Sequence, residues 1–129
     1  GHDTGVIVYS PMGSGLLTDR FTRARIEQMA EGDWRRRSPR FQEPELSRIL
    51  ALRDGLGPVA SRHGATIADV AVAWTLAWRG VTGAIVGARS AEQVDGWIGA
   101  ASLVLTDADL DEIAAAVQVS GAGVGPVRP

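Results

Sequence analysis

Two short stretches of this sequence hold residue types suited to binding a phosphate-bearing ligand. In the first, an apolar run from Val6 to Tyr9 passes directly into SPMGSG, residues 10–15. Backbone N–H groups that follow a strand in such a segment can approach a phosphate closely, because glycine has no side chain to block the approach. We therefore expect a strand at 6–9 and a ligand at the loop that follows it.

The second stretch is a predicted strand at 83–86 that is followed by Gly87 and the start of a helix. Ser90 and Gln93 have the spacing of a capping box, which predicts a helix over 90–100. The free N–H groups at a helix start and the helix dipole both favour negative charge. This stretch is therefore a second candidate anion site.

Between the two lies a long segment of poor periodicity, residues 16–45, that is rich in arginine. Its densest part reads DWRRRSPR, residues 33–40. These arginines either form a solvated face, or one or two of them help to bind an anionic ligand at the Ser14 loop. The residue types leave both interpretations open.

Composition limits the classes of function. The 129 residues include thirteen Arg, no Lys and fifteen acidic residues, for a net charge of −2. The sequence therefore lacks the excess of basic residues that would indicate nucleic-acid binding. We find no apolar run of about 18 residues and no leader, so we expect no membrane partner and a cytoplasmic location. Cys is absent, which excludes disulfides and thiolate sites, and we assign no metal site.

The remaining pattern predicts helices that position the two loops. A short helix is predicted at 22–30. A longer one is expected from Glu45 to His63, with a kink or break at Pro58 and a C-cap at Gly64. Thr66 is expected to cap a helix that ends near Arg79–Gly80, and Thr106 to start the last helix. The apolar stripe of the Thr66 helix is Ile67, Val70, Ala71, Trp74 and Trp78.

The ends of the chain read as polar and irregular. Gly1–Thr4 reads as a short polar lead-in, and GAGVGPVRP follows Ser120. The expected organisation is one domain over residues 1–119 and a disordered tail over residues 120–129.

Four segments, in order along the chain, resemble the aldo-keto reductases: YSPMGSGLLT, DWRRRSPRF, HGATIADVAVAWTLAW and GAIVGARSAEQV. The resemblance covers Gly5 to Val117 and only the second half of such an enzyme. It implies an α/β fold: a partial (half) TIM-type β/α barrel with parallel strands, corresponding to the seventh and eighth strand region. A complete barrel of this type needs about 250 residues, so we expect a fragment, a natural half-barrel or one piece of a two-piece barrel.

The resemblance implies NADP(H) as cofactor, and the first loop supplies part of its site. Tyr9 is similar to the family's aromatic residue that stacks on the nicotinamide ring. Ser10, Met12 and Ser14 match the loop that wraps the pyrophosphate, and Gly13 allows its close approach.

The second loop matches the part of the family that holds the adenosine 2′-phosphate and ribose. The matching residues are Gly87, Arg89, Ser90 and Gln93, and Arg89 is the candidate for the 2′-phosphate because its planar fork can pair with two oxygens. Where the family tends to have a polar pair against the adenine, this sequence has Gly96–Trp97. The departure predicts weakened cofactor binding.

Catalytic residues are not assigned in this chain. The Asp, Tyr, Lys and His that the resemblance implies for catalysis lie in the other half of the barrel. Tyr9 is the only Tyr, and no Lys exists to lower its pKa. Two hypotheses follow. The chain is the NADP(H)-binding half of a carbonyl reductase, or it is a non-catalytic, degenerate half-barrel that acts by self-association or partner binding.

A different small-molecule or anion-binding module that reuses the same loops is a third possibility. In every case the unpaired strand edges of a half-barrel need to be covered. We therefore expect a homo-oligomer or a complementing half-barrel chain.

Overall fold

Val6 to Tyr9 forms the strand that its β-branched and aromatic residues predict. A computed structural model describes residues 4–129, so the predicted lead-in Gly1–Thr4 lies outside the described residues except for Thr4. The elements in chain order are β1 (Val6–Tyr9), α1 (Arg23–Glu27), α2 (Glu45–His63), α3 (Ile67–Leu76), β2 (Val81–Ile85), α4 (Ala91–Asp95) and α5 (Asp107–Ser120). Short 3₁₀ helices cover Gly13–Gly15, Trp34–Arg37, Pro39–Phe41 and Ile98–Ala101.

The two strands form one parallel sheet. Ile7 pairs with Gly83 and Tyr9 pairs with Ile85, and the register shifts between Val6 and Ile7. Parallel pairing requires a long crossover, which here contains α2 and α3. Because both strands run in the same direction, the loops after Tyr9 and after Ile85 emerge at the same edge of the sheet. The predicted α/β fold with parallel strands is confirmed.

The strand β2 begins and ends earlier than the predicted range 83–86. It starts at Val81, directly after Gly80, whose φ of 90° lies in the left-handed region that favours glycine. The Val6 N–H donates to the Gly80 carbonyl over 2.9 Å, so contact with β1 already begins at that turn. Pairing with β1 therefore decided the start of the strand, which the local sequence pattern does not encode.

The helices pack into two apolar clusters. The first joins α2, α3 and α5 through Leu56, Val59, Ala60, Val70, Ala71 and Ile113. The second lies between the long arginine-rich segment and the first half of α2, and consists of Leu16, Phe21, Phe41, Leu46 and Leu50. The buried phenylalanines anchor the long segment to α2, and their rings meet edge to face at 5.9 Å.

Helix α2 continues through Pro58, so of the two predicted effects of this proline, a kink or a break, the break is wrong. The proline removes one backbone hydrogen bond, at a cost of about 3 kcal/mol in a helix interior. Leu56 on one side and Val59 and Ala60 on the other are buried in the first cluster. Their burial holds both halves of the helix in place around the missing bond.

Two other helices are shorter than predicted. Helix α3 ends at Leu76, so Trp78, the last residue of the predicted stripe, lies beyond the helix. Its ring packs edge to face against Trp74, with ring centroids 5.3 Å apart. Helix α4 ends at Asp95, and a 3₁₀ helix from Ile98 replaces the rest of the predicted helix 90–100. At Trp97 the backbone leaves the helical region, with φ −143° and ψ −5°.

Helix α5 begins after Thr106, as predicted, with a complete capping box between Thr106 and Asp109. Beyond the helix, Arg128 donates to the carboxylates of Asp107 and Asp111, and Ala122 is buried. The division into a domain over 1–119 and a disordered tail over 120–129 stays a prediction.

Apolar side chains of the sheet face solvent. Ile7 is 67% exposed and Ile85 is 62% exposed, so the sheet lacks a covering layer over part of its surface. None of the helices between residues 4 and 129 has both the length and the hydrophobicity needed to cross a lipid bilayer.

Candidate functional site

A cleft of about 1150 Å³ opens at the carboxyl ends of β1 and β2. It is lined by the loops after the two strands, by part of the arginine-rich segment and by the start of α3. Of the predicted cofactor-binding residues, the cleft is lined by Tyr9, Ser10, Met12, Ser14, Gly87, Arg89 and Gln93. Gly13 and Ser90 are not in the lining. The parallel sheet thus brings two separately predicted loops to one place.

The loop after β1 has an unusual backbone. Ser10 and Ser14 have φ of 56° and 58°, in the left-handed region that few residues other than glycine adopt, and Gly13 and Gly15 share it. The Gly13 N–H donates to the Ser10 carbonyl over 3.0 Å, which closes a tight turn. A serine in this region costs about 1 kcal/mol or more, and such strain is concentrated at functional sites. The loop shape is therefore consistent with a binding role.

The loop after β2 is fixed by Gln93. The Ser90 hydroxyl accepts from the Gln93 N–H, as the capping box requires, but the Gln93 side chain accepts from the Arg89 N–H over 2.7 Å instead of from that of Ser90. The predicted capping box is therefore only half formed. Gln93 positions the backbone of Arg89, and Ser90 supports the start of α4.

The Arg89 side chain extends into the cleft without a protein partner. It is exposed, and it makes no hydrogen bond or ion pair with residues 4–129. By contrast, Arg20, which follows the first loop, pairs with Glu92 of α4 over 2.7 Å. Both of these side chains are mostly exposed, so the pair adds little stability, but it ties the two loops together.

The arginine-rich segment contributes Asp33 and Arg35 to the cleft wall. Arg35 Nε lies 3.0 Å and 3.1 Å from the two carboxylate oxygens of Asp33, and the Arg35 N–H donates to Asp33 Oδ1. The hydrogen bonds from Arg35, with smaller contributions from the positive charges of Arg35 and Arg89, lower the pKa of Asp33 to about 2. The carboxylate is therefore ionised at neutral pH.

The other arginines of the run do not line the cleft. Arg36 donates to the Met29 carbonyl, and Arg37 and Arg40 are exposed. The run therefore divides into one arginine at the cleft and several on the solvated surface. An Asp two positions before an Arg, at the start of a helical turn, was the available sequence signal for the Asp33–Arg35 pair.

Four aromatic residues line the cleft: Tyr9, Phe21, Trp34 and Trp97. Tyr9 ends β1 with 82% of its surface exposed, so its ring is available to a flat ligand. Trp97 also lines the cleft, while its indole N–H is buried and has no acceptor within residues 4–129. Thr66 holds the neighbouring backbone by donating its hydroxyl to the Gly96 carbonyl over 2.7 Å.

Comparison with known proteins identifies related sequences and structures. The chain is 32% identical to the aldo-keto reductase str7 of Strobilurus tenacellus, over 85% of this chain and 31% of that protein. It is 29% identical to the aldo-keto reductase yakc (NADP(+)) of Schizosaccharomyces pombe, over 84% of this chain and 31% of the relative. It is 31% identical to the NADH-specific methylglyoxal reductase of Escherichia coli, over 83% of this chain and 32% of that enzyme.

Its structure is also similar to a solved one. The glycerol dehydrogenase AKR11B4 from Gluconobacter oxydans superimposes with a TM-score of 0.81 at 28% identity, over 97% of this chain and 38% of that chain. The chain thus spans about a third of the length of the three relatives. A sequence model described as the Aldo/keto reductase family matches residues 1–118. This chain therefore belongs to the aldo/keto reductase family.

Proposed function

We propose that this chain supplies the NADP(H)-binding part of a carbonyl reductase. The supporting observation is the cleft itself, since two loops predicted independently as phosphate sites line it together at the carboxyl ends of parallel strands. Ligands in open α/β sheets bind at this end of the strands. Membership of an oxidoreductase family agrees with the proposal.

The residues present fit such a cofactor. The loop with four left-handed residues between Ser10 and Gly15 wraps the pyrophosphate, and the exposed ring of Tyr9 stacks on the nicotinamide. Arg89 has no protein partner among residues 4–129, and it binds the 2′-phosphate while Gln93 holds its backbone. When bound, the cofactor supplies the hydride.

The preference for NADP(H) over NADH is assigned to Arg89. The named relatives include one designated for NADP(+) and one NADH-specific enzyme, so membership of the family does not decide between the two cofactors. A free guanidinium favours the ligand with the additional phosphate, because it can pair with two oxygens.

Carbonyl reduction also needs a proton donor, for which we assign no residue in this sequence. Tyr9 is its only Tyr and is assigned to stacking, and Lys is absent. We therefore propose that activity requires the other half of the barrel, which provides the acid catalyst and covers the sheet. Neither this proposal nor the association function described next requires the isolated chain to catalyse a reaction.

A second candidate function is association without catalysis, favoured by the exposed apolar face of the sheet. Ile7 and Ile85 expose most of their surface on adjacent strands. In this case the chain binds a second copy or another half-barrel, and the cleft has lost its ligand.

Titration with NADPH separates the two functions. Quenching of tryptophan fluorescence reports binding, NADH is titrated in parallel, and circular dichroism confirms folding. Arg89→Ala is compared with Arg79→Ala, which removes the same charge at an exposed site outside the cleft. The proposal is supported if the chain binds NADPH saturably and more tightly than NADH, and if only Arg89→Ala weakens NADPH binding. If the folded chain does not bind NADPH at millimolar concentration, the proposal is contradicted and the second function is favoured.

A further inference from the structure

We propose that Arg35 is a second ligand for the cofactor 2′-phosphate, held in position by Asp33 and acting together with Arg89. This inference rests on the proposed function and deepens it. It assigns a role to one arginine of the run 33–40 and places the rest of that run on the protein surface.

The geometry of Arg35 is fixed before any ligand binds. Its Nε and one Nη atom bond both carboxylate oxygens of Asp33, whose Oδ1 also accepts the Arg35 N–H at the start of a 3₁₀ helix. The two side chains are only 24% and 18% exposed, so the pair is embedded in the wall. A guanidinium held in this way loses little conformational freedom when it binds an anion.

Arg35 also keeps donors for a ligand. A guanidinium has five N–H groups, and Asp33 engages only those on Nε and Nη2. The Nη1 atom has no hydrogen-bond partner within residues 4–129. Because Arg35 lines the cleft, these N–H groups are available to a phosphate there.

The charges on this side of the cleft leave a positive excess. Asp33 is ionised, and it compensates one of the two guanidinium groups of Arg35 and Arg89, so the three residues together have a net charge of +1. Arg89 influences the pKa of Asp33, which agrees with their facing the same space. Two further arginines line the cleft: Arg20 is paired with Glu92, and Arg25 donates to the Arg20 carbonyl over 3.3 Å.

A purely structural role for Arg35 is the alternative, in which the Asp33–Arg35 pair only shapes the long segment. The two roles differ in what they do to NADPH and NADH. Loss of a residue that binds the 2′-phosphate weakens the binding of NADPH alone. Distortion of the segment weakens the binding of both cofactors, since both contain the pyrophosphate.

The test compares Arg35→Gln with Arg37→Gln, which removes the same charge two residues away outside the cleft. Both variants are titrated with NADPH and NADH. We expect Arg35→Gln to raise the Kd for NADPH about tenfold, the value of one charged hydrogen bond, and to leave NADH within about twofold. Arg37→Gln should change neither. Arg35→Lys keeps the charge but loses the fork, so its Kd for NADPH should lie between those of the wild type and Arg35→Gln.

The outcomes distinguish this inference from the proposed function. Suppose that the wild type binds NADPH more tightly than NADH and that Arg89→Ala raises the Kd for NADPH. If Arg35→Gln then changes neither Kd, or raises the Kd of both cofactors equally, Arg35 is structural and the proposed function stands. If the wild type binds no NADPH, both are overturned.

Discussion

Gly15 shows how a single backbone conformation shapes the first loop. Its φ is 96°, and an added Cβ would have no atom within 4 Å, so substitution acts through the backbone alone. We expect Gly15→Ala to lower the free energy of unfolding by about 1–2 kcal/mol and to weaken NADPH binding. Urea denaturation measures the first effect and fluorescence titration the second.

Ser14→Gly is the matched control, because it relieves a left-handed serine in the same loop. Its stability should stay within about 0.5 kcal/mol of the wild type or rise, since relief of strain offsets the added chain entropy. A Gly15→Ala variant as stable as the wild type would show that the loop is not held in the described conformation.

Individual site residues were predictable where their role depends on local sequence. Ser10 to Ser14 follow a recognisable strand, and Arg89 follows another, so their place at the carboxyl ends of the strands could be expected from the sequence. The Arg20–Glu92 pair could not, since its members lie 72 residues apart and only strand pairing brings them together. For Arg35, composition alone left the solvated face and the binding role open.

At the scale of the element, we expect alanine substitution of two glycines in helix α2 to have opposite effects on stability. Gly57 has no atom within 4 Å of a built Cβ, whereas at Gly55 that Cβ would lie 2.8 Å from the Cβ of Ala116 on α5. Gly57→Ala should therefore raise the free energy of unfolding by about 0.5–1 kcal/mol through helix propensity. Gly55→Ala should lower it by about 1–2 kcal/mol, because α2 and α5 must move apart. Thermal and urea unfolding of both variants measure the difference, and equal effects would contradict this packing.

Asp109 joins α5 to the end of α2 and makes the stability of this contact depend on pH. Its buried carboxylate accepts from the Thr106 N–H over 2.8 Å, from His63 Nε2 over 2.7 Å and from Arg62. Burial alone would raise the pKa of Asp109, but these hydrogen bonds outweigh it and hold the pKa well below its ordinary value of 3.8. The ionised carboxylate therefore stabilises the fold above the ordinary pKa, and that contribution disappears as the pH falls towards the lowered one.

We expect Asp109→Asn to lower the free energy of unfolding by about 2 kcal/mol at pH 7, because it weakens several charged hydrogen bonds. The difference in the free energy of unfolding between wild type and variant should become smaller at about pH 3, where the carboxyl group is protonated in the unfolded state. Asp107→Asn is the control, since its side chain is 92% exposed, and it should change stability by less than about 0.5 kcal/mol. A gap that stays constant with pH would exclude this role for the carboxylate.

The elements themselves were largely predictable, and their lengths were not. Thr66 and Thr106 begin helices because a threonine cap with an acid at the third position satisfies two N–H groups locally. Pro58 was expected to kink or break α2, but the helix continues through it because its neighbours are buried in the first cluster. The early end of α4 depends on the backbone at Trp97, which local capping signals do not encode.

At the scale of the whole molecule, the sheet stands out because large apolar side chains on it are exposed to solvent. It has two strands, and three of its largest side chains, Ile7, Tyr9 and Ile85, are more than half exposed. The structurally similar glycerol dehydrogenase is matched over only 38% of its chain, so most of that enzyme has no counterpart here. The parallel sheet was predictable from the family resemblance, but what covers its surface is not encoded in any local pattern.

We expect the isolated chain to associate through this sheet. Contiguous exposed apolar side chains and unpaired strand edges favour pairing with another copy. Sedimentation velocity over a range of concentrations should show a species larger than a monomer. The double variant Ile7→Thr with Ile85→Thr keeps a β-branched residue at each position but removes apolar surface, so it should shift the population towards monomer. Val104→Thr changes a residue that is 79% exposed outside the sheet, and it should leave the association unchanged. If the wild type is a monomer at every concentration, the exposed sheet does not drive self-association.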